Sequence, residues 1–346
     1  MVAKIFSDLA KKRLDPNQRY MGDVDEFLYE QGIGPQILAH TSDALLMEYI
    51  EGEVLTESMV FGDDQSSVVV VDDTASAIHH HSNKKNGLQI CQAVGDALAH
   101  MHGLDEKRAN KGPNMLWHAM DVLLANIDDK CQITTNSGNV WSLSMLQDTI
   151  GEYRQRLEGW KLPEVLGHGD LKLSNVMLPT HHQHQSTMTM ATSPAIRFID
   201  FELTGTHYRG YDLAKFFRIS SSSKQPTATE GAHSFAHSSV VPDPQRPHKN
   251  AFWESYYKRV LMEDTSSCVD HASRTFSNPT NMADCISQLE LEALMLEPMT
   301  WLEAASFFLS MAALDDPSQK EKWLGMAQAR LSSFEQRNKM PLKKKP

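Results

Sequence analysis

The sequence predicts an α+β fold with a few short strands and a mainly helical C-terminal part. Hydrophobic residues make up 41% and charged residues 22% of the 346 residues, a composition typical of globular rather than disordered or fibrous proteins. Short apolar runs bounded by turn residues predict the strands, and long stretches with apolar residues at helical spacing predict the helices. The length allows two domains of average size, or one large and one small.

Three short strands near the N-terminus are predicted to form a small sheet. The apolar runs at residues 2–6, 36–39 and 45–49 have the length of strands. A helix is expected between the first two, and the Gly-Ile-Gly-Pro turn at residues 32–35 ends it, because proline cannot continue a helix. A second set of short strands is predicted at residues 165–167, 175–178 and 196–199.

Helical periodicity covers most of the remaining chain. Ile90, Val94, Leu98 and Met101 fall on one face of a helix, which predicts that this face is buried. Further helices are predicted near residues 116–124, 141–153, 249–262, 284–296, 298–314 and 317–335. The C-terminal part is therefore expected to be a helical body.

Four segments differ from the rest of the chain in composition. They are rich in Ser, Thr, His, Asn and Pro, and such segments cannot bury enough apolar surface to offset the entropy lost on ordering. We expect them to be low-complexity surface insertions. They lie near residues 59–88, 180–194, 219–246 and 264–283.

Charge and cysteine content exclude several classes of protein. The net charge of −11 disfavours nucleic acid and anionic membranes as partners. The four cysteines include no C-x-x-C pair, so neither a disulfide framework nor a cysteine zinc site is indicated. The N-terminal residues lack the apolar length of a signal peptide, and no run reaches the roughly 18 apolar residues of a membrane span. A soluble cytoplasmic protein without stable membrane insertion is expected.

The strongest functional signal lies in two segments that each follow an apolar strand. The first contains His168, Asp170 and Asn175, and the second ends in Asp200-Phe-Glu202. Phosphoryl transfer from a nucleotide needs a carboxylate that takes the acceptor's proton and oxygen ligands for magnesium. Asp170 is placed to be that base, and Asn175 and Asp200 are placed to bind the metal. His168 is expected to brace the loop through hydrogen bonds.

These segments and their surroundings resemble the choline/ethanolamine kinase family. Phe-Ile-Asp-Phe-Glu at residues 198–202 and Tyr-Arg-Gly-Tyr-Asp at residues 208–212 are similar to the F-I-D-F-E and Y-R-G-F-D strings of that family, where protein kinases have D-F-G. Weaker resemblance extends to the turn at residues 30–35, the run at 47–52 and the helix at 93–104. Apart from the insertions, the resemblance covers most of the chain.

The resemblance implies a two-lobed protein-kinase-like fold. Residues 1–52 would form a small β-rich N-lobe with a hinge at about 47–52, and residues 53–346 would form a large helical C-lobe that carries the insertions. The chain begins on what corresponds to the family's third N-lobe strand. The two preceding strands and the phosphate-covering loop are therefore expected to be missing, which would make the N-lobe truncated.

The resemblance also implies the catalytic and metal-binding residues. Asp170, with His168 beside it, would be catalytic. Asn175 and Asp200 would bind Mg²⁺, and Glu202 would assist them directly or through water.

The nucleotide site follows from the same resemblance. Lys4 falls where kinases place a strand-borne cation on the ATP phosphates. The backbone groups of Glu48 and Ile50 would contact adenine. Arg209 and Asp212 are expected to be structural, and Asp212 is placed to cap the helix that follows it.

The sequence departs from the family pattern at two further places. Asp23 or Asp25 would have to supply the helix carboxylate that pairs with the strand cation. The family's acidic and aromatic run, which helps to hold a quaternary ammonium, reads Arg-Ile-Ser-Ser-Ser-Ser-Lys at residues 218–224. Trp323, and more distantly Trp301, remain as the aromatic residues expected near the substrate.

The resulting hypothesis is a kinase that uses ATP and Mg²⁺ to phosphorylate choline or ethanolamine, the first step of phosphatidylcholine or phosphatidylethanolamine synthesis. Its partner would be the small amino alcohol and not nucleic acid, and a homodimer is left open. Two alternatives are a kinase of the same fold acting on an aminoglycoside or sugar-amine, and an inactive pseudokinase.

Overall fold

A computed structural model describes residues 1–13, 22–61, 76–104, 113–180, 195–218, 246–266 and 281–338. These residues contain ten strands and ten α-helices. The strands are β1 Val2–Ile5, β2 Ile37–His40, β3 Ala44–Met47, β4 Gly52–Val54, β5 Gln132–Thr134, β6 Val140–Ser142, β7 Glu164–Gly167, β8 Val176–Pro179, β9 Arg197–Phe198 and β10 Gly205–Tyr208. The helices are α1 Asp8–Arg13, α2 Asp23–Glu30, α3 Glu57–Phe61, α4 Ser76–Gly103, α5 Met115–Leu124, α6 Leu143–Trp160, α7 Arg209–Phe217, α8 Arg246–Ser266, α9 Met282–Leu314 and α10 Lys320–Asn338. The predicted α+β class is confirmed.

The N-terminal sheet has the three strands that the sequence predicts. They lie in the order β1-β3-β2, and both pairs are antiparallel. Lys4 is opposite Leu45 in the register of β1 and β3, and Leu45 is 1% exposed. Because successive side chains of a strand point to opposite faces, this register fixes the face on which Lys4 projects.

The second predicted set of strands is present but is divided between two sheets. Strand β8 pairs with β4 and β9, whereas β7 pairs with β10. The periodicity did not predict β4, β10 or the β5–β6 hairpin. These strands have three or four residues, which is too short for an alternating pattern to stand out.

Two helix predictions need correction. Residues 284–296 and 298–314 form one helix, α9, which continues through Pro298. The missing N–H of a proline normally interrupts a helix, but the residues on both sides of Pro298 are completely or almost completely buried, so tertiary packing holds the helix together. Residues 76–88, which composition assigns to the first insertion, are helical because α4 begins at Ser76. The larger part of the four predicted insertions lies outside the described residues.

The described core consists of two apolar clusters. One cluster is built around α4 and α8 and includes Leu166, Leu171 and Phe198. The other is built around α5, α6, α9 and α10 and includes Tyr208 and Tyr211. The segment between β7 and β8 is thereby anchored on apolar residues at both ends. Among the described helices, none is both long and apolar enough to span a membrane.

Candidate active site

The loop after β7 is held in place by one buried carboxylate. Asp212, in the first turn of α7, accepts hydrogen bonds from the backbone N–H groups of His168 at 2.6 Å and Gly169 at 2.9 Å. The prediction that Asp212 caps its own helix is therefore wrong. The capping position belongs to Tyr208, which makes no side-chain cap bond. Asp212 instead ties α7 to the loop that contains the candidate base.

Asp212 also links the loop to α4 and α8. His102 Nε2 lies 3.2 Å from an Asp212 oxygen, and His102 Nδ1 lies 2.8 Å from the Tyr256 hydroxyl. Burial raises the pKa of Asp212, but the hydrogen bond and charge of His102 outweigh this effect and set the pKa at about 2. Burial lowers the pKa of His102. No sequence pattern indicates this contact, because His102 and Asp212 are 110 positions apart.

Gly169 allows the tight turn before Asp170. Its φ is +77°, and a Cβ atom added there would lie 2.4 Å from the Leu203 carbonyl oxygen and 2.6 Å from His207 Nε2. A left-handed conformation favours glycine, and the neighbouring carbonyl belongs to the backbone and cannot rotate away.

We expect Gly169→Ala to lower the free energy of unfolding by about 2 kcal/mol or more, since strain and overlap act together. Urea denaturation measures this change. Gly151→Ala is the matched control, because Gly151 lies in α6 with open space around its missing side chain. If the two variants are equally stable, the packing around Gly169 is not as tight as the structure indicates.

His168 has a bracing position. Its side chain is fully buried, Nε2 lies 3.0 Å from the Ile199 carbonyl oxygen, and the ring contacts Phe198 and Phe201. These contacts join the loop after β7 to the end of β9. Because it is enclosed, His168 cannot meet a substrate, and the arrangement favours the bracing role over proton transfer.

Asp170, the candidate base, is surrounded by cations. Lys215 Nζ lies 2.9 Å from Oδ1, and Lys172 Nζ lies 2.8 Å from Oδ2. Burial raises the pKa of Asp170, but these two ammonium groups outweigh it and hold the pKa far below its usual value. Asp170 is therefore a carboxylate throughout the neutral range and can accept a hydrogen bond from a hydroxyl group.

Lys215 was not among the predicted site residues. It is 3% exposed, and it also contacts Glu303 of α9 at 3.1 Å, while Glu303 contacts Arg13 of α1 at 3.1 Å. The sequence does contain a pattern that could have indicated Lys215: it lies within the apolar string Leu-Ala-Lys-Phe-Phe, and a lysine is rarely buried among apolar residues without an oppositely charged partner. The partner itself lies 88 positions away.

The three predicted metal ligands lie at adjacent strand ends. Asn175 Nδ2 donates to the Asp170 backbone oxygen at 2.9 Å, so its amide is oriented through the nitrogen and can offer Oδ1 to a metal. The Ile199 N–H donates to the Asn175 carbonyl at 3.0 Å and brings Asp200 alongside. Asp200 has φ +71°, a left-handed conformation that is uncommon outside glycine but that aspartate tolerates better than most residues, and it turns the chain after β9.

Oxygen donors of this kind suit Mg²⁺. The described residues contain no group of three or more His, Cys, Asp and Glu side chains arranged to bind a metal. The set Asn175, Asp200 and Glu202 consists of one amide oxygen and two carboxylates, so it fits a hard cation that would also bind phosphate oxygens.

Lys4 lies beside the same carboxylates. Its ammonium pairs with Asp200 and, at 3.0 Å, with Glu202. Burial lowers the pKa of Lys4, but the two carboxylates outweigh it and raise the pKa above its ordinary value. Asp25 of α2 lies near this cluster without an ion pair to Lys4 within 4 Å. Burial raises the pKa of Asp25 to about 6, while Lys4 opposes that shift.

The predicted hinge follows β3. The Glu48 N–H donates to the Gln36 carbonyl at 2.9 Å, and the Glu48 carboxylate accepts from the Gln36 N–H at 3.0 Å. The backbone carbonyl oxygen of Glu48 can therefore accept a hydrogen bond from an adenine ring, and the backbone N–H of Ile50, two residues later, can donate one to it. The adenine contacts of Glu48 and Ile50 stay a prediction.

The two predicted aromatic residues have different surroundings. Trp301 of α9 is fully buried, with the Arg218 guanidinium 5.0 Å from its ring centroid, and a substrate contact by Trp301 stays a prediction. Trp323 of α10 is partly exposed and stacks on Phe308 at 5.9 Å, and its Nε1 donates to Asp315. A substrate contact by Trp323 stays a prediction.

Comparison with known proteins identifies the family. A family model described as choline/ethanolamine kinase matches residues 20–335. Among curated proteins, Ethanolamine kinase 2 of Rattus norvegicus is 22% identical over 129 residues, which are 37% of this chain and 30% of that protein. The chain thus matches less than a third of the length of this curated relative.

Solved structures show the same fold. An ethanolamine kinase of Plasmodium vivax has a TM-score of 0.57 at 14% identity, covering 96% of this chain and 74% of that one. A choline kinase of Cryptosporidium parvum has a TM-score of 0.54 at 16% identity, covering 92% and 76%. These likenesses confirm the kinase-like fold. Because the family model extends over most of the chain and its motif residues converge on one site, the protein belongs to the choline/ethanolamine kinase family.

Proposed function

We propose that this protein is an ATP-dependent kinase that transfers the γ-phosphoryl group to the hydroxyl of a small amino alcohol, with choline and ethanolamine as the family's acceptors. The observation that carries the proposal is the convergence of an ionised Asp170 with Asn175, Asp200 and Lys4 around one loop. Phosphoryl transfer depends mainly on positioning and on balancing charge, and this group supplies both.

The residues have distinct tasks in this proposal. Asp170 accepts the hydroxyl proton and orients the oxygen for in-line attack on the γ-phosphorus. Lys172, which is half-exposed beside Asp170, is placed to balance charge on the transferred group. Bound Mg²⁺ would neutralise phosphate oxygens, and Asn175, Asp200 and Glu202 would hold it.

The proposed reaction produces a phosphorylated amino alcohol. Such a product would be the first intermediate in building phosphatidylcholine or phosphatidylethanolamine. The test is to incubate the full chain with ATP, Mg²⁺ and either choline or ethanolamine and to identify the product by mass spectrometry. An aminoglycoside serves as the alternative acceptor. If the protein binds ATP but transfers no phosphoryl group to any of these acceptors, the result would favour the pseudokinase hypothesis and contradict the proposal.

Lys4 gives a separate test of the nucleotide site. We expect Lys4→Met to lower kcat/KM for ATP by about 10²-fold, because a cation that balances phosphate charge is lost. Lys130→Met is the control, since Lys130 is exposed in the turn before β5. Steady-state kinetics at varied ATP measure the effect. Equal values for both variants would remove Lys4 from the phosphate site.

A further inference from the structure

Four charged side chains of alternating sign form a row that ends at the candidate base. The ammonium of Lys215 lies 2.9 Å from Asp170 Oδ1 and 3.1 Å from Glu303 Oε2. Arg13 Nη2 lies 3.1 Å from the other Glu303 oxygen. The four residues belong to the loop after β7, to α7, to α9 and to α1, so the row joins four separate segments of the chain.

Three members of the row are enclosed by protein. Arg13, Lys215 and Glu303 are 6%, 3% and 6% exposed, whereas the side chain of Asp170 is 20% exposed. Burial raises the pKa of Glu303, but Lys215 and Arg13 outweigh it and hold the pKa below its ordinary value, so Glu303 stays a carboxylate at neutral pH. Charges act strongly on each other where water is excluded. The row is therefore fixed at its inner end and is most exposed at Asp170.

The backbone that carries Lys215 is fixed relative to the loop of Asp170. Asp212, one turn earlier in α7, binds the backbone N–H groups of the two residues that precede Asp170. The Lys215 ammonium also lies 5.3 Å from the ring centroid of Tyr211, which is 1% exposed. Helix α7 thus holds the loop at two points, its backbone through Asp212 and the Asp170 side chain through Lys215.

Lys172 is less constrained than Lys215. It lies two residues after Asp170 in the same loop, its side chain is 48% exposed, and its ammonium is 2.8 Å from Asp170 Oδ2. An exposed lysine is screened by water and moves at little cost. In the proposed function Lys172 balances charge on the transferred group, which would free Oδ2 for the acceptor hydroxyl while Oδ1 stays on Lys215. Asn175 Nδ2 lies 3.3 Å from Oδ2, and a carboxylate oxygen can accept a second hydrogen bond.

We propose that Lys215 is a positioning residue of the reaction, which holds Oδ1 of Asp170 so that Oδ2 faces the acceptor hydroxyl. Glu303 and Arg13 act behind it by fixing the Lys215 ammonium. This inference rests on the proposed kinase function, because it uses Asp170 as the base, and it applies to any acceptor hydroxyl. It also gives α1 a part in orienting the base, through Arg13.

The first test separates the rate of the reaction from nucleotide binding. We expect Lys215→Met to lower kcat by about 10²-fold, since a small misplacement of a reacting group can cost that much, while KM for ATP stays within a few-fold. Steady-state kinetics of the full chain, with Mg²⁺ and whichever of choline or ethanolamine it phosphorylates, measure both constants. Lys249→Met is the matched control, because Lys249 is also buried, at 2% exposed, but lies in α8 with its ammonium 6.0 Å from the Phe217 ring centroid. The kcat of this control should stay within a few-fold of the original, and an equal kcat for Lys215→Met would overturn the inference.

A double variant separates positioning from folding. Lys215→Met leaves Asp170 and Glu303 without their shared cation, so it should lower the urea concentration at the midpoint of unfolding. Adding Glu303→Gln removes one of the two negative charges, so the midpoint should rise again while kcat stays low. If kcat recovers together with the midpoint, Lys215 is only structural and the inference is wrong.

Arg13→Met tests the row from its far end. Because Glu303 would lose one of its two cations, it should draw Lys215 toward itself and away from Asp170. We expect kcat to fall about fivefold at an unchanged KM for ATP, a size typical of coupling through intervening residues. If the Lys215 variants do not fold, this variant decides, and an unchanged kcat would overturn the inference.

The kinase function and this inference can fail separately. If the original chain transfers no phosphoryl group to any acceptor, the kinase function fails, and crystal structures of the original chain and of Lys215→Met with Glu303→Gln decide whether Lys215 positions Asp170. We expect the Asp170 carboxylate to turn toward Lys172 in the double variant. An unchanged direction of that carboxylate would show that Lys215 does not position it.

Discussion

Replacing Asp170 with Asn is expected to lower kcat by about 10²- to 10⁴-fold, the range over which general bases contribute, while leaving nucleotide affinity within a few-fold of the original. Asn keeps the size of the side chain and can still contact Lys215 and Lys172 through its carbonyl oxygen, but it cannot accept the hydroxyl proton. The measurement combines single-turnover kinetics with calorimetric titration of ATP and Mg²⁺. An unchanged kcat would exclude Asp170 as the base.

Two controls accompany this variant. Asp129→Asn changes an exposed aspartate in the turn before β5 and should leave kcat unchanged. The pH profile adds a second check. Because Lys215 and Lys172 outweigh burial and keep the pKa of Asp170 well below its usual value, its carboxylate stays ionised as pH falls through 6 and 5. If activity falls between pH 6 and pH 5, the pH at which it falls should therefore be the same in a Lys172→Met variant as in the original protein.

Breaking the buried pair between Arg209 and Glu292 is expected to cost about 3–5 kcal/mol of stability, since the remaining charge would be left buried without its partner. Arg209 Nε and Nη2 bond the two Glu292 oxygens at 2.8 Å and 2.7 Å, and the side chains are 0% and 5% exposed. This pair attaches α7 to α9. Denaturant unfolding of Arg209→Met and of Glu292→Gln measures the loss.

The double replacement Arg209→Met with Glu292→Leu separates charge burial from packing. It removes both charges together, so it should be less destabilising than either single change. The exposed pair of Arg154 and Asp121, at 3.2 Å, is the surface control, and its removal should cost about 1 kcal/mol or less. If Arg209→Met lowers the free energy of unfolding by no more than removal of this surface pair, the Arg209–Glu292 pair does not contribute to holding α7 against α9.

The part of the site that depends on short-range order could be predicted from the sequence. Asp170 and Asn175 are five residues apart on one loop, and Asp200 follows the strand that pairs with β8, so local pattern and strand pairing place all three. Lys4 was predicted from the resemblance alone, because it falls where kinases place a strand-borne cation. Its pairing with Asp200, 196 positions away, agrees with that placement.

The parts that could not be predicted depend on packing between distant segments. Nothing in the periodicity shows that Lys215 reaches Glu303 or that Asp212 turns toward the loop instead of capping α7, because both contacts form only when α7 packs against α9 and β7. The same holds for Pro298. Because a proline has no backbone N–H, the sequence predicts that the helix is interrupted at Pro298. Only the burial of the residues around it keeps α9 continuous.

The carboxylate of Asp212 has a consequence for hydrogen exchange. The amide protons of His168 and Gly169 are bonded to a side chain of α7 rather than to a strand partner, and exchange requires that such a bond open. These two amides should therefore exchange only when α7 separates from the loop. Local fraying of β7 would not expose them. Their protection would report directly on whether the loop after β7 and α7 open as one cooperative unit.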